Sequence, residues 1–473
     1  MSYKKCSHDS YRKLKCLIRN KFPCTSPITI TTVPFVINRS GVYCITNNLL
    51  FFGTNGSAAI TIAANNVQLN FDEHELKVTG VNNVGVLVDS VRNVVINNPV
   101  VTSNTRFVEG EGAGIQIING KKVAVFNAYV ENTFYGVRVQ NSNDILFENL
   151  HADQNGGSNL RTQDSSEIVI TDSTFRNNLN DLAVAGTRFD NVQSLHLFNN
   201  NYFNSDIFVS SGDGIIVDKV TSQIVDPNYV FGIIQFGTGT SNTNNAQISN
   251  SSFSNAMSLT AGPAALYLSS GHNYIVTDST FEVNSEVPEE TATIAIGGNL
   301  DFPDLFGTAS AVQNARFTNV VVRGNSNWPF IITGPKIDNI FTRNNVLDNV
   351  TVTNGANAGI LIYDADCNVV KNSKISNNNV GIQIAITSQA NAILDNVISC
   401  NTGAGILLSD TADINLIQGN RVFNNGQGIV NDAGTGNQII DNVEFANGFP
   451  LGVKSNIVKR QKRAGKPRGA RQA

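Results

Sequence analysis

The chain has no apolar run near the ~18 residues of a membrane-spanning helix, so no membrane partner is expected. Charged residues make up only 15% of its 473 residues, against the ~25% usual for globular domains, which leaves few good helix formers for surfaces. Its 6 cysteines are too few for a disulfide framework, and no CxxC pair marks a zinc site. There is no phosphate loop, nucleophile elbow or nucleotide fingerprint. The N-terminal residues are basic but lack an apolar central run, so no secretory signal is read and the compartment stays open. What is present is 41% hydrophobic residues, enough for a core, and 39 glycines. These describe a strand-rich body, not a disordered chain.

The net charge of −4 hides an uneven distribution. Residues 1–24 carry seven basic groups against Asp9, and residues 454–473 carry eight basic groups and no acid. The body, 25–453, is left with 18 basic and 36 acidic residues. Basic ends on an acidic body can engage nucleic acid or an acidic protein neighbour. The 454–473 tail has no apolar periodicity that could pack, so a flexible arm is expected there.

Internal repetition is the most informative feature. A short apolar strand after a small residue recurs, as in Gly114-Ile-Gln-Ile, Gly136-Val-Arg-Val, Gly359-Ile-Leu-Ile, Gly381-Ile-Gln-Ile and Gly405-Ile-Leu-Leu. The strand starts, among them Ile115, Val137, Leu160, Leu182, Ile207 and Ile233, cluster at intervals of 22–24 residues. A second strand follows in each repeat and ends in Asn or Asp, as at Asn127, Asn149, Asn396, Asn420 and Asn442. No amphipathic helix fits between the strands, and the repeat is too short for the ~40 residues of a propeller blade. The spacing therefore predicts an all-β solenoid of about 15 coils, with parallel sheets, stacked aliphatic side chains and ladders of turn asparagines. Segments 25–59 and 443–453 are expected to cap it.

The N-terminal coils read Ser40-Gly-Val-Tyr-Cys-Ile-Thr-Asn-Asn-Leu49, then Ala59-Ile-Thr-Ile-Ala-Ala-Asn-Asn-Val-Gln-Leu-Asn-Phe-Asp72, then His74-Glu-Leu-Lys-Val-Thr-Gly80. With the repeats over about 35–450, this resembles the right-handed parallel β-helix of the pectate-lyase-like superfamily, including its carbohydrate-binding and sugar-hydrolase repeat domains. The resemblance implies a right hand and sugar polymers as default ligands, handled by lyases, hydrolases or epimerases. The Asp-Asp, Gly-His-Gly and Arg-Ile-Lys elements of polygalacturonase-like enzymes are missing; Ser270-Gly-His272 is followed by Asn273.

Aligning the repeats places Asp181 and Asp206 one rung apart, ~4.8 Å, as a catalytic carboxylate pair. On the outward row, Gln116, Arg138 and Arg161 follow on successive coils, where the arginines could hold an acidic sugar. Arg161 is thus also a catalytic candidate. No cofactor is expected; a lyase would need Ca2+ from several carboxylates, with Glu109 and Glu111 as contributors. Further along, the same row gives Phe208, Ile234, Ile331, Leu361, Leu407 and Val430, an apolar stripe expected to associate with copies of itself as a dimer or trimer. A Cys24–Cys44 disulfide could tie down the leading segment.

Three functional readings follow. The leading one is a non-catalytic structural or adhesive β-helix of a surface or virus particle, self-associating and polysaccharide-binding. The second is a polysaccharide lyase or glycoside hydrolase acting on acidic glycans. The third is polyanion binding, nucleic acid included, through the basic tails.

Overall fold

The computed structural model describes residues 27–448, except 81, 105–109, 111, 179–185, 226–232, 239, 259–261, 286–290, 299–309, 335–340, 410 and 433. The basic segments 1–24 and 454–473 lie outside the described residues, as do Asp181, Cys24, Glu109 and Glu111.

Among the described residues the chain is all strand and turn, and no helix is long and apolar enough to cross a membrane. The strands form a 34-stranded sheet and a 16-stranded sheet, paired in parallel from turn to turn. One turn shows the plan. Tyr135–Gln140, Asn143–Glu148 and His151–Asp153 lie in register on Ala113–Ile118, Lys121–Phe126 and Tyr129–Glu131. Each strand alternates, so Val137 covers Ile115, Ile145 covers Val123 and Ala152 covers Val130, all without solvent exposure. The result is the expected parallel β-solenoid, in which most inward side chains rest on apolar side chains of the neighbouring turns.

The core is one continuous apolar column running from Ile30 to Val422. Aromatic pairs thicken it midway: Phe175 stacks on Tyr202 at 4.8 Å and Phe253 on Phe281 at 5.2 Å. Burial drives this column, because apolar area leaves water at about 25 cal/mol per Å².

The corners explain the abundance of asparagine. Asn98, Asn127 and Asn149 all adopt left-handed backbone, with φ between 51 and 58°, which Asn tolerates better than most residues. Their carboxamides chain along the axis, Asn127 donating to Asn98 at 2.9 Å and Asn149 to Asn127 at 3.0 Å. A second kind of ladder is buried. Asn345, Asn368, Asn391 and Asn415 each donate Nδ2 to the next carboxamide oxygen, at 3.0 to 3.2 Å, ending on Asn437. Parallel ladders run through Asn396, Asn420 and Asn442 and through Asn378, Asn401, Asn425 and Asn447. Each oxygen also accepts the backbone N–H of the previous rung, so the corner amides stay satisfied without water.

The register departs from the aligned repeats in two places. Leu160 pairs with Thr187, not Leu182, and Thr187 with Ile207. Thr187 is fully buried at an inward position, which a search for apolar strand starts passes over. Likewise Ile234, not Ile233, pairs with Ile207.

Candidate anionic-ligand face

The corrected register assembles the most distinctive surface. Gln116, Arg138, Arg161, Arg188 and Phe208 stand in one outward row on five successive turns. Arg188 was missed by the repeat alignment; its signal is the alternation Thr187-Arg-Phe-Asp190, with Thr187 and Phe189 inward and Arg188 and Asp190 outward. Beside this row runs a second one, Gln140, Gln163 and Asp190.

Side-chain geometry fixes the guanidinium groups. Arg188 Nε donates to both Asp190 oxygens, at 2.9 and 2.8 Å, and its guanidinium lies 5.3 Å from the Phe208 ring centroid. Arg161 reaches the same carboxylate at 3.5 Å and donates to the Tyr135 hydroxyl at 3.0 Å. Ser210 Oγ donates to Asp190 at 2.6 Å. Arg138 lies 5.2 Å and Arg161 5.8 Å from the Tyr135 ring centroid, a cation–π cradle for two neighbouring cations.

The electrostatics are unbalanced. Two of the three stacked guanidiniums, those of Arg161 and Arg188, share the Asp190 carboxylate, and Arg138 stands one turn below Arg161 in the same row. At a spacing of about 5 Å and an effective dielectric near 20, each adjacent like pair repels by on the order of 3 kcal/mol. Burial, and then the charge of Arg161, lower the pKa of Arg138, which is only 9% exposed. The Nε of Arg161 is buried with no acceptor among the described residues. An anionic group laid along this row would relieve the repulsion and form charge-assisted, bidentate hydrogen bonds.

Of the expected carboxylate pair, only Asp206 is among the described residues. Asp206 is 3% exposed and accepts the Gly186 N–H with its carboxylate. In register it stands over Gly186 and then Asn159, whose chain neighbours Thr187 and Leu160 pair with Ile207 and with each other. Asp181 lies outside the described residues. The alignment had counted Leu182 as a strand start, and that slip brought Asp181 beneath Asp206. Asp206 thus holds the buried backbone amide of Gly186.

The apolar stripe also changes. Ile234 is a core residue with no exposure, and Gln235 takes the outward place above Phe208. Ile331 and Leu361 do face outward but are 0% and 4% exposed, packed with Ala295, Trp328 and Ala358 in a second apolar cluster outside the central column. An outward strand position is therefore not an exposed one here. Phe208, Leu407 and Val430 stay half-buried.

Another polar group lies on the 16-stranded sheet. His151, which no motif marked, stacks on Tyr129 at 5.0 Å and lies 3.7 Å from Asp153. Tyr129 donates to Glu131 at 3.0 Å; burial, and then that bond, push its pKa up to about 12. These groups satisfy one another. Cys44, Cys367 and Cys400 are free thiols among the described residues, and Cys44 accepts from Asn70 at 3.6 Å. Among the described residues no cluster of His, Cys, Asp and Glu is arranged to hold a metal.

Comparison with known proteins places the fold. The chain is similar to the tailspike of E. coli bacteriophage HK620 in complex with a pentasaccharide, with 13% identity over 76% of this chain and 71% of that one and a TM-score of 0.42. It is similar to the Dettilon tailspike, with 13% identity over 78% and 61% and a TM-score of 0.37. A periplasmic alginate epimerase double mutant shares 10% identity over 83% and 79%, with a TM-score of 0.29. Likenesses this distant concern the fold alone. No curated protein matches. The family model for the right-handed β-helix region matches residues 52–219 and 305–444, which gives the solenoid its hand, and the chain belongs to the right-handed β-helix family.

Proposed function

We propose that this protein is a non-catalytic β-helix that binds an acidic polysaccharide along the row Gln116, Arg138, Arg161 and Arg188. The observation that carries this reading is the row of three guanidiniums on successive turns, two of them meeting at the Asp190 carboxylate. A flat parallel sheet face with cations repeating once per turn suits a polymer carrying one carboxylate or sulfate per sugar, because each charge meets its own arginine. Gln140 and Gln163 beside the row offer neutral hydrogen bonds to hydroxyls. Binding without turnover is favoured because Asp206 is consumed by a backbone amide.

The structural or adhesive role, self-association through Phe208, Leu407 and Val430, and a place on a surface or virus particle belong to the same reading. Purified protein titrated calorimetrically with a polyuronate and with a neutral glucan tests it. Binding of the polyuronate alone, lost in Arg138→Gln/Arg161→Gln, is the expected result. Equal binding of both polymers refutes it. Release of unsaturated or reducing-end products would instead favour a lyase or hydrolase.

A further inference from the structure

The middle strand of each turn presents an outward row of its own. Towards the C-terminal end it reads Arg316, Val346, Val369, Ala392, Leu416 and Gln438, each in register on the one before. The apolar block from Val346 to Leu416 is partly exposed and joins none of the apolar clusters of the described residues. Its counterpart nearer the N-terminus, Val95, Ala124 and Leu146, is buried in a cluster of its own.

The corner just ahead of this row is left-handed. On earlier turns it holds Asn245, Asn273, Asn314 and Asn344, with φ between 51 and 61°. Asn273 there donates to Asn245 at 3.0 Å and Asn314 to Asn273 at 3.4 Å. Beside the apolar block the same place holds Cys367, Ala390 and Ile414, with φ between 55 and 57°. A β-branched residue is an outlier in this region of backbone space, and Ile414 is 64% exposed. Neither backbone preference nor packing within the chain accounts for it, whereas burial against another molecule does.

The charges along the edge of this face fit a second copy. Ahead of the corner stand Arg343, Asp366, Gln389 and Asp413 on successive turns, with Arg343 bridged to Asp366 and Gln389 N–H bonded to Asp366. The cation thus heads the edge and Asp413 ends it. We propose that two copies pack through this face as antiparallel rods, about a two-fold axis between Val369 and Ala392. Val346 then meets Leu416 of the partner subunit, and Val369 meets Ala392 of the partner subunit. Arg343 meets Asp413 of the partner subunit, and the symmetry repeats that pair. Ile414 is covered by the facing corner. A parallel pairing sets Arg316 against its own copy, and Lys371 and Asp348 on the other edge are already paired at 3.2 Å. At about 4.8 Å per turn the row from Arg316 to Gln438 is about 25 Å long, a small contact that suits a micromolar dimer. This face is separate from the arginine row and from Phe208, Leu407 and Val430, all on the first strand of each turn, and the proposal stands without them.

Sedimentation equilibrium of the full chain, up to about 200 μM, tests it. The parent should reach twice the monomer mass. Val369→Asp and Arg343→Glu should each weaken the dimer about tenfold or more, while Arg343→Lys and Leu407→Asp leave it intact. Unchanged denaturation midpoints separate loss of contact from loss of fold. In a Cys367→Ser background, Val346→Cys and Leu416→Cys should cross-link under mild oxidation when mixed, and neither alone. A parent that stays monomeric, a dimer indifferent to Val369→Asp, or cross-linking of Leu416→Cys with itself overturns the proposal. So does a trimer, or a dimer that Leu407→Asp abolishes.

Discussion

Asp190 binds Arg188 through both carboxylate oxygens, at 2.9 and 2.8 Å, although the two residues lie on the same strand with only Phe189 between them. The pair is possible because residues two apart on a strand face the same side. It leaves Asp190 as an anchor that orients Arg188 and Arg161 together. Asp190→Asn removes that anchor and its charge-assisted bonds, each worth about 1.5–3 kcal/mol. The expected outcome is a lower denaturation midpoint, partly restored by an acidic oligosaccharide that supplies the missing negative charge. Thermal shifts with and without the ligand measure both effects.

Arg161 touches the Tyr135 hydroxyl and Asp190 at once. Arg161→Ala should weaken binding of a polyuronate about tenfold or more, roughly 1.4 kcal/mol, with little effect on unfolding. The parent affinity should also fall as salt rises from about 0.05 to 0.5 M, because partly exposed cations are screened. Calorimetry at three salt concentrations distinguishes this from an affinity based on apolar contact.

The buried ladder predicts a steep cost for a small change. Asn391 accepts both the N–H and the Nδ2 of Asn368, at 2.9 and 3.1 Å. Asn391→Ala orphans both donors in the interior, at about 1–3 kcal/mol for each unsatisfied group. Asn149→Ala, in the exposed ladder, should cost clearly less because water replaces the lost partner. Denaturant unfolding of the two variants side by side checks the ranking.

Glu167 titrates near neutrality. A hydrogen bond with Asp144 on the turn below, then burial and the charge of Asp144, raise its pKa to about 7. The folded value lies above the usual 4.5, so the folded state holds the proton more tightly. The pair's contribution is therefore complete below about pH 4.5 and is lost as pH rises through about 7. Glu167→Gln, which keeps a donor at every pH, should flatten this part of the stability profile between pH 5 and 8. Denaturation midpoints across that range, for parent and variant, decide it.

Much of this was legible in the residue order. Gly114-Ile-Gln-Ile and Gly136-Val-Arg-Val carry both the alternation of a strand and the spacing of a turn, and Val137 does cover Ile115. Arg138 and Arg161 were found by the same count and do stand in one row. The count failed at Thr187, because this inward place is filled by a polar residue whose buried hydroxyl finds no partner among the described residues, a costly choice that an apolar pattern does not signal. One missed start shifted the frame, hid Arg188 and set Asp181 beside Asp206.

The sequence by itself determined the solenoid, since a two-residue alternation repeated about every 22 residues buries its apolar side only when turns stack in parallel. It determined the asparagine corners too, because few other residues both accept left-handed backbone and hydrogen-bond along the axis. Only the tertiary structure decided which outward residues meet solvent. Ile331 and Leu361 look exposed by strand parity and are buried, while Arg188 became the third member of a cationic row. Parity assigns a side chain to a face, but what packs over that face, and which rung stands above it, depends on loops of unequal length whose register local sequence does not encode.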